Sequence, residues 1–345
     1  MDRELQQALE LVVQPAFFAE NGKIVWRNAA AAALLTVGME ISALLDRELL
    51  TLWNREDVLR FPAALGGTEY LVSVRTMPQG ELFVAERRAV GELADRLTAA
   101  SAKLRRPLHN MVSSAQTMFE ALSEDAGTRD ARAELNRALY QLLRLCGQLS
   151  DGGRALQHEL TACRRSVDAG AFFDALAEEL GTLLRAAGRR FRYDGLQGPC
   201  RIWMDSPLVE RAVYNLAANS LEHTRPGGTI CLAVQRMQRA LAVRVTDDGD
   251  GLKELYDSPE GLQGGGGLGL VLVREIARLH GAAMMLSGNG AQPGATAVFS
   301  LSLRPASAGL HSPMPQYDYT SGYHHGLVEL SCLLPPESYN PEEVL

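Results

Sequence analysis

An acidic glycine motif ends an apolar, β-branched run in the last third of the chain. It reads Asp247-Asp248-Gly249-Asp250-Gly251. Glycines let the backbone approach a flat ligand closely, and a carboxylate beside them can accept a hydrogen bond from an exocyclic amine such as that of adenine. Asp247, Gly249 and Gly251 therefore predict a purine site. On its own, the motif is also compatible with an ordinary Asp-Gly turn.

A second glycine motif, Gly264 to Gly269, opens an apolar-periodic helix that ends at His280-Gly281. Free amides and the helix dipole favour phosphate at a helix N-terminus, so Gly265, Gly267 and Gly269 predict a phosphate-binding loop. The alternative is a flexible linker. A dinucleotide-binding loop fits less well, because the spacing is GxGxG rather than GxGxxG. We interpret His280 as a C-terminal helix residue favourably placed on the dipole.

An asparagine pair lies upstream of both glycine motifs, on a helix predicted from Asp205 to Thr224. Asn215 and Asn219 share a face of this helix because they are four residues apart. Amide oxygens suit Mg²⁺, which takes the rest of its shell from phosphates and water. The pair alone is also compatible with caps or loop bridges. The three groups in this order predict a site for a purine nucleotide and its metal.

These residues together resemble the ATP-binding domain of sensor histidine kinases, within the wider family of gyrase-like ATPases. The resemblance covers about residues 165–304. The matching residues are Asp205 with Asn215 to Asn219 for the N box, Asp247, Gly249 and Gly251 for the first glycine box, Gly265, Gly267 and Gly269 for the second, and Gly294-Ala295-Thr296 for the Gly-Ser/Thr element before the last strand.

The resemblance implies a fold, two cofactors and a role for each matched side chain. The fold is a Bergerat-type α/β sandwich, with a mixed sheet under three helices, and the cofactors are ATP and Mg²⁺. Asn219 would hold Mg²⁺, Asn215 would support it, Asp247 would read adenine, and Thr296 would complete the nucleotide site.

Two regions upstream of this domain would position or regulate it. Residues 89–160 carry two stretches in an a/d register, which predict a dimerising helical hairpin and a four-helix bundle formed by two subunits. The stretches are Leu93, Leu97, Ala100, Leu104, Met111 and Met118, then Leu135, Leu139, Leu142, Cys146 and Leu149.

Residues 1–88 are predicted to form two hairpins separated by helices. Asn21-Gly22 is a strong turn signal between two apolar runs, and Pro78-Gln79-Gly80 separates two more. With Asn28 after the second strand, this order resembles the PAS family of sensor domains. The predicted fold class is therefore α+β multidomain, with domains at 1–88, 89–160 and 165–304 and a mostly disordered tail at 305–345, of which only Gly326 to Leu334 is apolar enough to dock.

Bulk properties exclude several classes of partner. The net charge of −7 gives no electrostatic case for nucleic acid. No apolar run approaches the ~18 residues needed to span a bilayer, so we expect a cytoplasmic chain. The five scattered cysteines indicate neither a disulfide framework nor a zinc site.

The chain departs from the family at the phosphoacceptor segment, which in the family reads Ser-His-Glu-Leu-Arg-Thr-Pro-Leu. The histidine is replaced by Ala102, which has no nucleophile, and its acidic neighbour by Lys103. His109 lies seven residues later at the same heptad position, and a neutral imidazole is a competent nucleophile. His109 is therefore either a displaced acceptor or a solvated surface histidine. Glu222 replaces the basic residue that usually follows the N box.

Two functions remain open on this reading. The chain is either a catalytically degenerate histidine kinase, which binds ATP-Mg and a partner such as another histidine kinase, or an active protein-histidine kinase. An active kinase would use His109 and pass the phosphate to a response regulator. Both readings predict a homodimer. A repair or chaperone ATPase is disfavoured by the helical hairpin and the sensor module upstream.

Overall fold

The computed structural model describes residues 3–44, 58–87, 100–101, 104, 111, 126–251, 266–289, 292–303 and 323–339. Most of the predicted first helix of the hairpin, with Ala102 and His109, lies outside these residues, so the hairpin stays a prediction. Within the described ranges, no helix is both long enough and apolar enough to cross a membrane.

The described residues of the N-terminal module form five strands. Its elements are α1 Arg3–Glu10, β1 Ala16–Glu20, β2 Lys23–Arg27, α2 Ala29–Ala32, a 3₁₀ turn Ile41–Ala43, β3 Leu59–Leu65, β4 Thr68–Met77 and β5 Gly80–Arg87. Both predicted hairpins are present, β1–β2 and β4–β5. Asn21 and Gly22 have φ values of 52° and 76°, the left-handed turn that the sequence predicts. β3 was not predicted.

The C-terminal part contains a long helix followed by an α/β unit. Its elements are α3 Ala126–Leu156, β6 Arg165–Asp168, α4 Ala169–Ala186, β7 Arg190–Asp194, β8 Arg201–Met204, α5 Ser206–His223, β9 Thr229–Arg236, β10 Ala240–Asp247, α6 Gly266–Leu279, β11 Met284–Asn289, β12 Gln292–Ser302, α7 His325–Glu329 and a second 3₁₀ turn, Pro336–Tyr339.

A mixed sheet organises this α/β unit, in the order β11-β12-β10-β9-β7. Neighbouring strands are antiparallel except β7 and β9, which are parallel. One face of the sheet shares a hydrophobic core with α4, α5 and α6. The expected mixed sheet under three helices is therefore observed. β6 and β8 pair separately.

The two halves of the chain share one ten-stranded sheet. β3 of the N-terminal module pairs with β11 through Arg60 and Leu286. A second core also crosses this junction, because Ala242, Met285 and Val298 pack with the N-terminal module. Their strand neighbours belong to the first core, and side chains alternate between the faces of a sheet. The module therefore covers the face opposite the helices.

The long helix α3 carries two kinds of apolar position. Leu139 is only 5% exposed, whereas Leu135 and Leu142, also predicted for the seam, are 43% and 38% exposed. Leu145, which was not predicted for the seam, is 49% exposed. The predicted seam therefore divides in the structure, with some positions buried within the chain and others facing outward.

The tail differs from the prediction of disorder. Residues 323–339 form α7 and the second 3₁₀ turn, and both are packed on the rest of the protein. The apolar stretch Gly326 to Leu334 is part of the docked segment. The docked segment is longer than this stretch and runs from Tyr323 to Tyr339. The ring of Tyr339, which lies outside the predicted stretch, is also buried.

Candidate nucleotide-binding site

The N-terminus of α5 is fixed by Asp205, which caps the helix as a short polar residue commonly does. Its Oδ1 accepts a hydrogen bond from Leu208 N at 3.2 Å, and its Oδ2 accepts one from Cys163 N at 2.6 Å. α5 then runs to His223, as the sequence predicts to within one residue.

Asn215 joins α5 to the second glycine box. Its Nδ2 donates to Arg211 O at 2.9 Å, and its side chain is buried. A Cβ atom built on Gly269 would lie 2.6 Å from Asn215 Oδ1. Only glycine therefore allows α6 to approach the N box this closely.

Asn219 lies one turn further along the same face. Its Nδ2 is buried and has no hydrogen-bond partner among the described residues. A buried polar group without a partner is costly unless a ligand satisfies it. Because the two ends of an amide are assigned from their contacts, the same side chain can present oxygen to a cation. The side chain of Asn219 therefore fits the predicted role of binding Mg²⁺ together with the phosphates of a nucleotide.

Asp247 ends β10 and is almost completely buried. Its Oδ1 accepts from Gly249 N and Ala295 N, both at 3.1 Å, and its Oδ2 accepts from Ser220 Oγ at 2.9 Å. Burial raises the pKa of Asp247, and the hydrogen bonds from Ser220, Gly249 and Ala295 oppose that rise. A carboxylate oxygen has two acceptor positions, so Oδ2 retains one for a ligand amine.

Glycines pack the backbone tightly around Asp247. A Cβ on Gly249 would lie 2.3 Å from His223 O, and a Cβ on Gly294 would lie 1.9 Å from Asp247 O. Gly251 has a φ of 80°, which favours glycine. The first glycine box and the Gly294 element therefore converge on one carboxylate.

Thr296 reaches the same cluster through Asn289. Thr296 Oγ1 donates to Asn289 Oδ1 at 2.8 Å, and Asn289 Nδ2 donates to Asp247 O at 2.8 Å. Gly294, Ala295 and Thr296 lie inside β12 rather than before it, because the hairpin with β11 already begins at Asn289 and Gln292.

The second glycine box is described in part. Gly267 and Gly269 lie in the first turn of α6, at the helix N-terminus that suits phosphate. Gly265 and the residues back to Leu252 lie outside the described residues, as does His109. Glu222 is exposed on α5.

His280 stabilises the site in a way that the sequence interpretation missed. Its Nε2 accepts from Asp205 N at 3.0 Å, and its Nδ1 donates to Ile276 O at 2.7 Å. A backbone N–H always donates, so Nε2 carries no proton and the ring is neutral. Burial lowers the pKa of His280. His280 does follow the last residue of α6, as the sequence indicates, but its neutral ring connects the end of α6 to the start of α5 and adds no charge to the helix dipole.

Ser220 and Asn289 are the other site residues that sequence reasoning missed. Ser220 follows Asn219 directly, and Asn289 ends the β11 strand. Neither position carries a pattern of its own. Their roles depend on Asp247, which is 27 residues from Ser220 and 42 residues from Asn289.

Comparison with known proteins agrees with this geometry. Residues 204–305 match the family described as histidine kinase-, DNA gyrase B-, and HSP90-like ATPase. These residues include α5, both glycine boxes and β12.

Similar curated proteins are bacterial sensors. The alginate biosynthesis sensor protein KinB of Pseudomonas aeruginosa is 33% identical over 111 residues, covering 30% of this chain and 18% of KinB. The sensor protein CzcS of Cupriavidus metallidurans is 26% identical over 239 residues, covering 62% of this chain and 47% of CzcS. The sensor histidine kinase CusS of Escherichia coli K12 is 26% identical over 200 residues, covering 52% of this chain and 39% of CusS. The chain thus spans less than half the length of these relatives.

Among solved structures, full-length ShkA in complex with AMPPNP has a TM-score of 0.50 and 20% identity. The match covers 62% of this chain and 47% of that one. At this identity, the likeness shows the fold alone.

Proposed function

We propose that the chain binds ATP with Mg²⁺ and transmits a signal as a catalytically degenerate member of the sensor histidine kinase family. The match of residues 204–305 to the histidine kinase-, DNA gyrase B-, and HSP90-like ATPase family and the similarity to CzcS and CusS support this proposal. Asp247 carries the proposal. It is a buried carboxylate held by neutral donors and left with one acceptor position, which the amine of adenine satisfies. Guanine has a carbonyl at the corresponding place and would meet the carboxylate unfavourably.

The asparagines of α5 act on the phosphate side of the nucleotide. Asn219 would supply an amide oxygen to Mg²⁺, and the metal would neutralise phosphate charge. Asn215 is held by Arg211 O and Gly269, so it supports the position of Asn219 one turn away. Gly265, Gly267 and Gly269 let backbone amides reach the phosphates at the start of α6.

The phosphoacceptor position favours a degenerate kinase. Ala102 has no group that can attack phosphorus, so phosphotransfer at that position is chemically impossible. The chain would then form a homodimer through residues 89–160. Binding of ATP and the PAS-like module at 1–88 would together change the affinity of this dimer for a partner, such as another histidine kinase. The exposed Leu135, Leu142 and Leu145 support the dimer, because an apolar stripe on a helix favours association.

The alternative is an active kinase with a displaced acceptor. His109 then receives the γ-phosphoryl group of ATP and passes it to an aspartate of a response regulator. The sequence feature in favour of this alternative is the seven-residue spacing from Ala102, which predicts the same heptad position for His109.

A labelling experiment separates the two functions. The purified chain is incubated with γ-labelled ATP and Mg²⁺, and acid-labile, alkali-stable label is measured beside His109→Gln and a control, His311→Gln. The degenerate kinase binds ATP and leaves all three proteins unlabelled. Label that persists in His311→Gln and disappears in His109→Gln establishes the active kinase. Failure of the parent chain to bind ATP contradicts both.

A further inference from the structure

The C-terminal segment Tyr323–Tyr339 lies across three helices that come from two different regions of the chain. α3 belongs to the predicted hairpin, whereas α4 and α5 belong to the ATP-binding domain. The segment inserts apolar side chains between them, each with at most 5% exposure. These are Leu327, Leu330, Leu334 and Tyr339, and all four belong to the core that contains α4, α5 and α6.

Polar contacts fasten the same segment to α3. Asn136 Nδ2 donates to Tyr339 O and Gln141 Nε2 donates to Ser331 O, both at 3.1 Å. The ring of Tyr140 lies 5.1 Å from that of Tyr339. A hydrogen bond within the segment joins its two ends, since Tyr339 OH donates to Leu327 O at 2.9 Å.

Buried charges join the segment, α3 and α5 at one point. Arg211 of α5 donates from Nε to Glu329 Oε1 at 3.2 Å, and its Nη1 pairs with Asp151 of α3. All three side chains are almost fully buried. Arg211 therefore needs both carboxylates, one from the hairpin helix and one from the C-terminal segment.

This junction is connected to the nucleotide site through two contacts. The carbonyl of Arg211 accepts the hydrogen bond of Asn215. Gly152 of α3 lies against Leu268 of α6, since a Cβ built on Gly152 would lie 3.0 Å from Leu268 Cδ2. The helix that the segment holds therefore touches both the N-box helix and the helix of the second glycine box.

We propose that Tyr323–Tyr339 is a reversible strap that fastens α3 to the ATP-binding domain when docked and releases α3 when it detaches. The strap regulates which positions α3 and the nucleotide site take relative to one another. It stands apart from the proposed ATP binding and requires no nucleotide.

Two features suit the strap to reversible docking. Its helix, α7, has five residues, too few to be stable unless it is docked. Its contact is also imperfectly satisfied, because Ser331 Oγ is buried without a hydrogen bond to the described residues, and Glu329 Oε2 and Asp151 Oδ1 have only arginine nitrogens at 3.8 Å. Such groups weaken a contact. The covalent link of the strap to the rest of the chain keeps its local concentration high after it detaches.

Hydrogen–deuterium exchange of the full chain tests the strap. We compare the parent with a Leu330→Ala, Leu334→Ala double variant and with Cys332→Ala, a control at an exposed position of the strap. The double variant should raise exchange about tenfold or more in residues 323–339 and along the strap side of α3. β9, β10 and β12 should keep the parent rates, and Cys332→Ala should match the parent throughout.

Adding a synthetic peptide of residues 323–339 should restore the protection of α3 in the double variant, whereas a peptide carrying both substitutions should not. Loss of protection in β9, β10 and β12 together with the strap would overturn the proposal, because the segment would then be a fixed part of one cooperative unit. Unchanged exchange in the strap and α3 would overturn it as well. If the double variant does not fold, Glu329→Gln takes its place, with the same outcomes expected.

Discussion

Asp247 and Glu329 are both buried carboxylates, but their surroundings differ in charge. Among the described residues, Asp247 accepts hydrogen bonds from neutral donors, one hydroxyl and two backbone amides. Glu329 instead receives a guanidinium hydrogen bond from Arg211 and lies 3.8 Å from Arg144. A carboxylate that is neutralised by arginine has little left for a ligand, whereas one held by neutral donors stays available. The first arrangement suits a junction between helices and the second suits a binding site.

The same difference separates what each carboxylate stabilises. At the Arg211 junction, removal of the guanidinium leaves the buried carboxylates of Asp151 and Glu329 without their shared cation, so the free energy of unfolding decreases. At Asp247, an asparagine would keep one side-chain oxygen for the amides of Gly249 and Ala295, so its substitution should lower the affinity for ligand rather than the stability of the fold. Four substitutions test this division, beginning with the largest expected effect.

Arg211→Leu should lower the free energy of unfolding by about 3–5 kcal/mol, because it leaves Asp151 and Glu329 buried without their shared cation. Arg154→Leu is the matched control. Arg154 also approaches Asp151, at 3.8 Å, but a third of its side chain is exposed, so its loss should cost about 1 kcal/mol or less. Urea titration measures both, and equal costs would contradict a special role for Arg211.

Asp247→Asn should weaken ATP binding by about 10- to 100-fold while leaving the fold intact, because a hydrogen bond to a charged group contributes about 1.5–3 kcal/mol. Asp248→Asn is the control on the same loop, where Asp248 Oδ1 accepts from Thr229 N at 2.8 Å. Isothermal titration calorimetry with ATP and with GTP gives both affinities. An unchanged preference for ATP over GTP in Asp247→Asn would mean that another group reads the base.

Local patterns predict both observed hairpins and most residues of the candidate nucleotide site. The N-cap Asp205, the spacing of Asn215 and Asn219, and the Asn21-Gly22 turn each depend on residues close in the sequence. These features could therefore be predicted without knowledge of the fold.

Long-range contacts account for what the sequence did not predict. Arg60 pairs with Leu286 across the two halves of the chain, and Asn136 bonds to Tyr339 across 203 positions. No periodicity links residues so far apart. The composition of the tail predicts disorder because it is poor in apolar residues, yet five apolar side chains between Leu327 and Tyr339 are buried where α3, α4 and α5 already provide a surface.

Ser220→Ala should have a smaller effect than Asp247→Asn, about 3- to 10-fold on ATP affinity, because one hydrogen bond to Asp247 is lost and the carboxylate remains. The Ser220 hydroxyl holds the pKa of Asp247 down against burial, so its removal should raise that pKa further. ATP binding by the variant should then weaken at a higher pH than in the parent as the solution is acidified.

Ser300→Ala serves as its control, because Ser300 Oγ is also buried and hydrogen-bonded but contacts Ala283 rather than Asp247. Titrations across a pH series distinguish the two. A uniform loss of affinity at every pH would assign Ser220 a packing role only.

His280 extends the comparison to a buried base that must stay neutral. Its pKa is lowered in the folded protein, so below about pH 6.5 the unfolded chain binds a proton that the folded chain refuses. Its contribution to stability is therefore complete above pH 6.5 and is lost as the pH falls from there. The raised pKa of Asp247 acts in the opposite direction, which hides the effect in the parent alone.

The contribution of His280 is isolated by subtracting the unfolding free energy of His280→Gln from that of the parent, since both proteins contain Asp247. That difference in unfolding free energy should shrink by up to about 1.4 kcal/mol per pH unit below pH 6.5 and stay constant above it. A difference that is independent of pH would mean that His280 binds its proton equally well in the folded and the unfolded chain, so that Nε2 is not held as an acceptor by Asp205 N. The end of α6 would then be joined to α5 by packing rather than by a neutral imidazole.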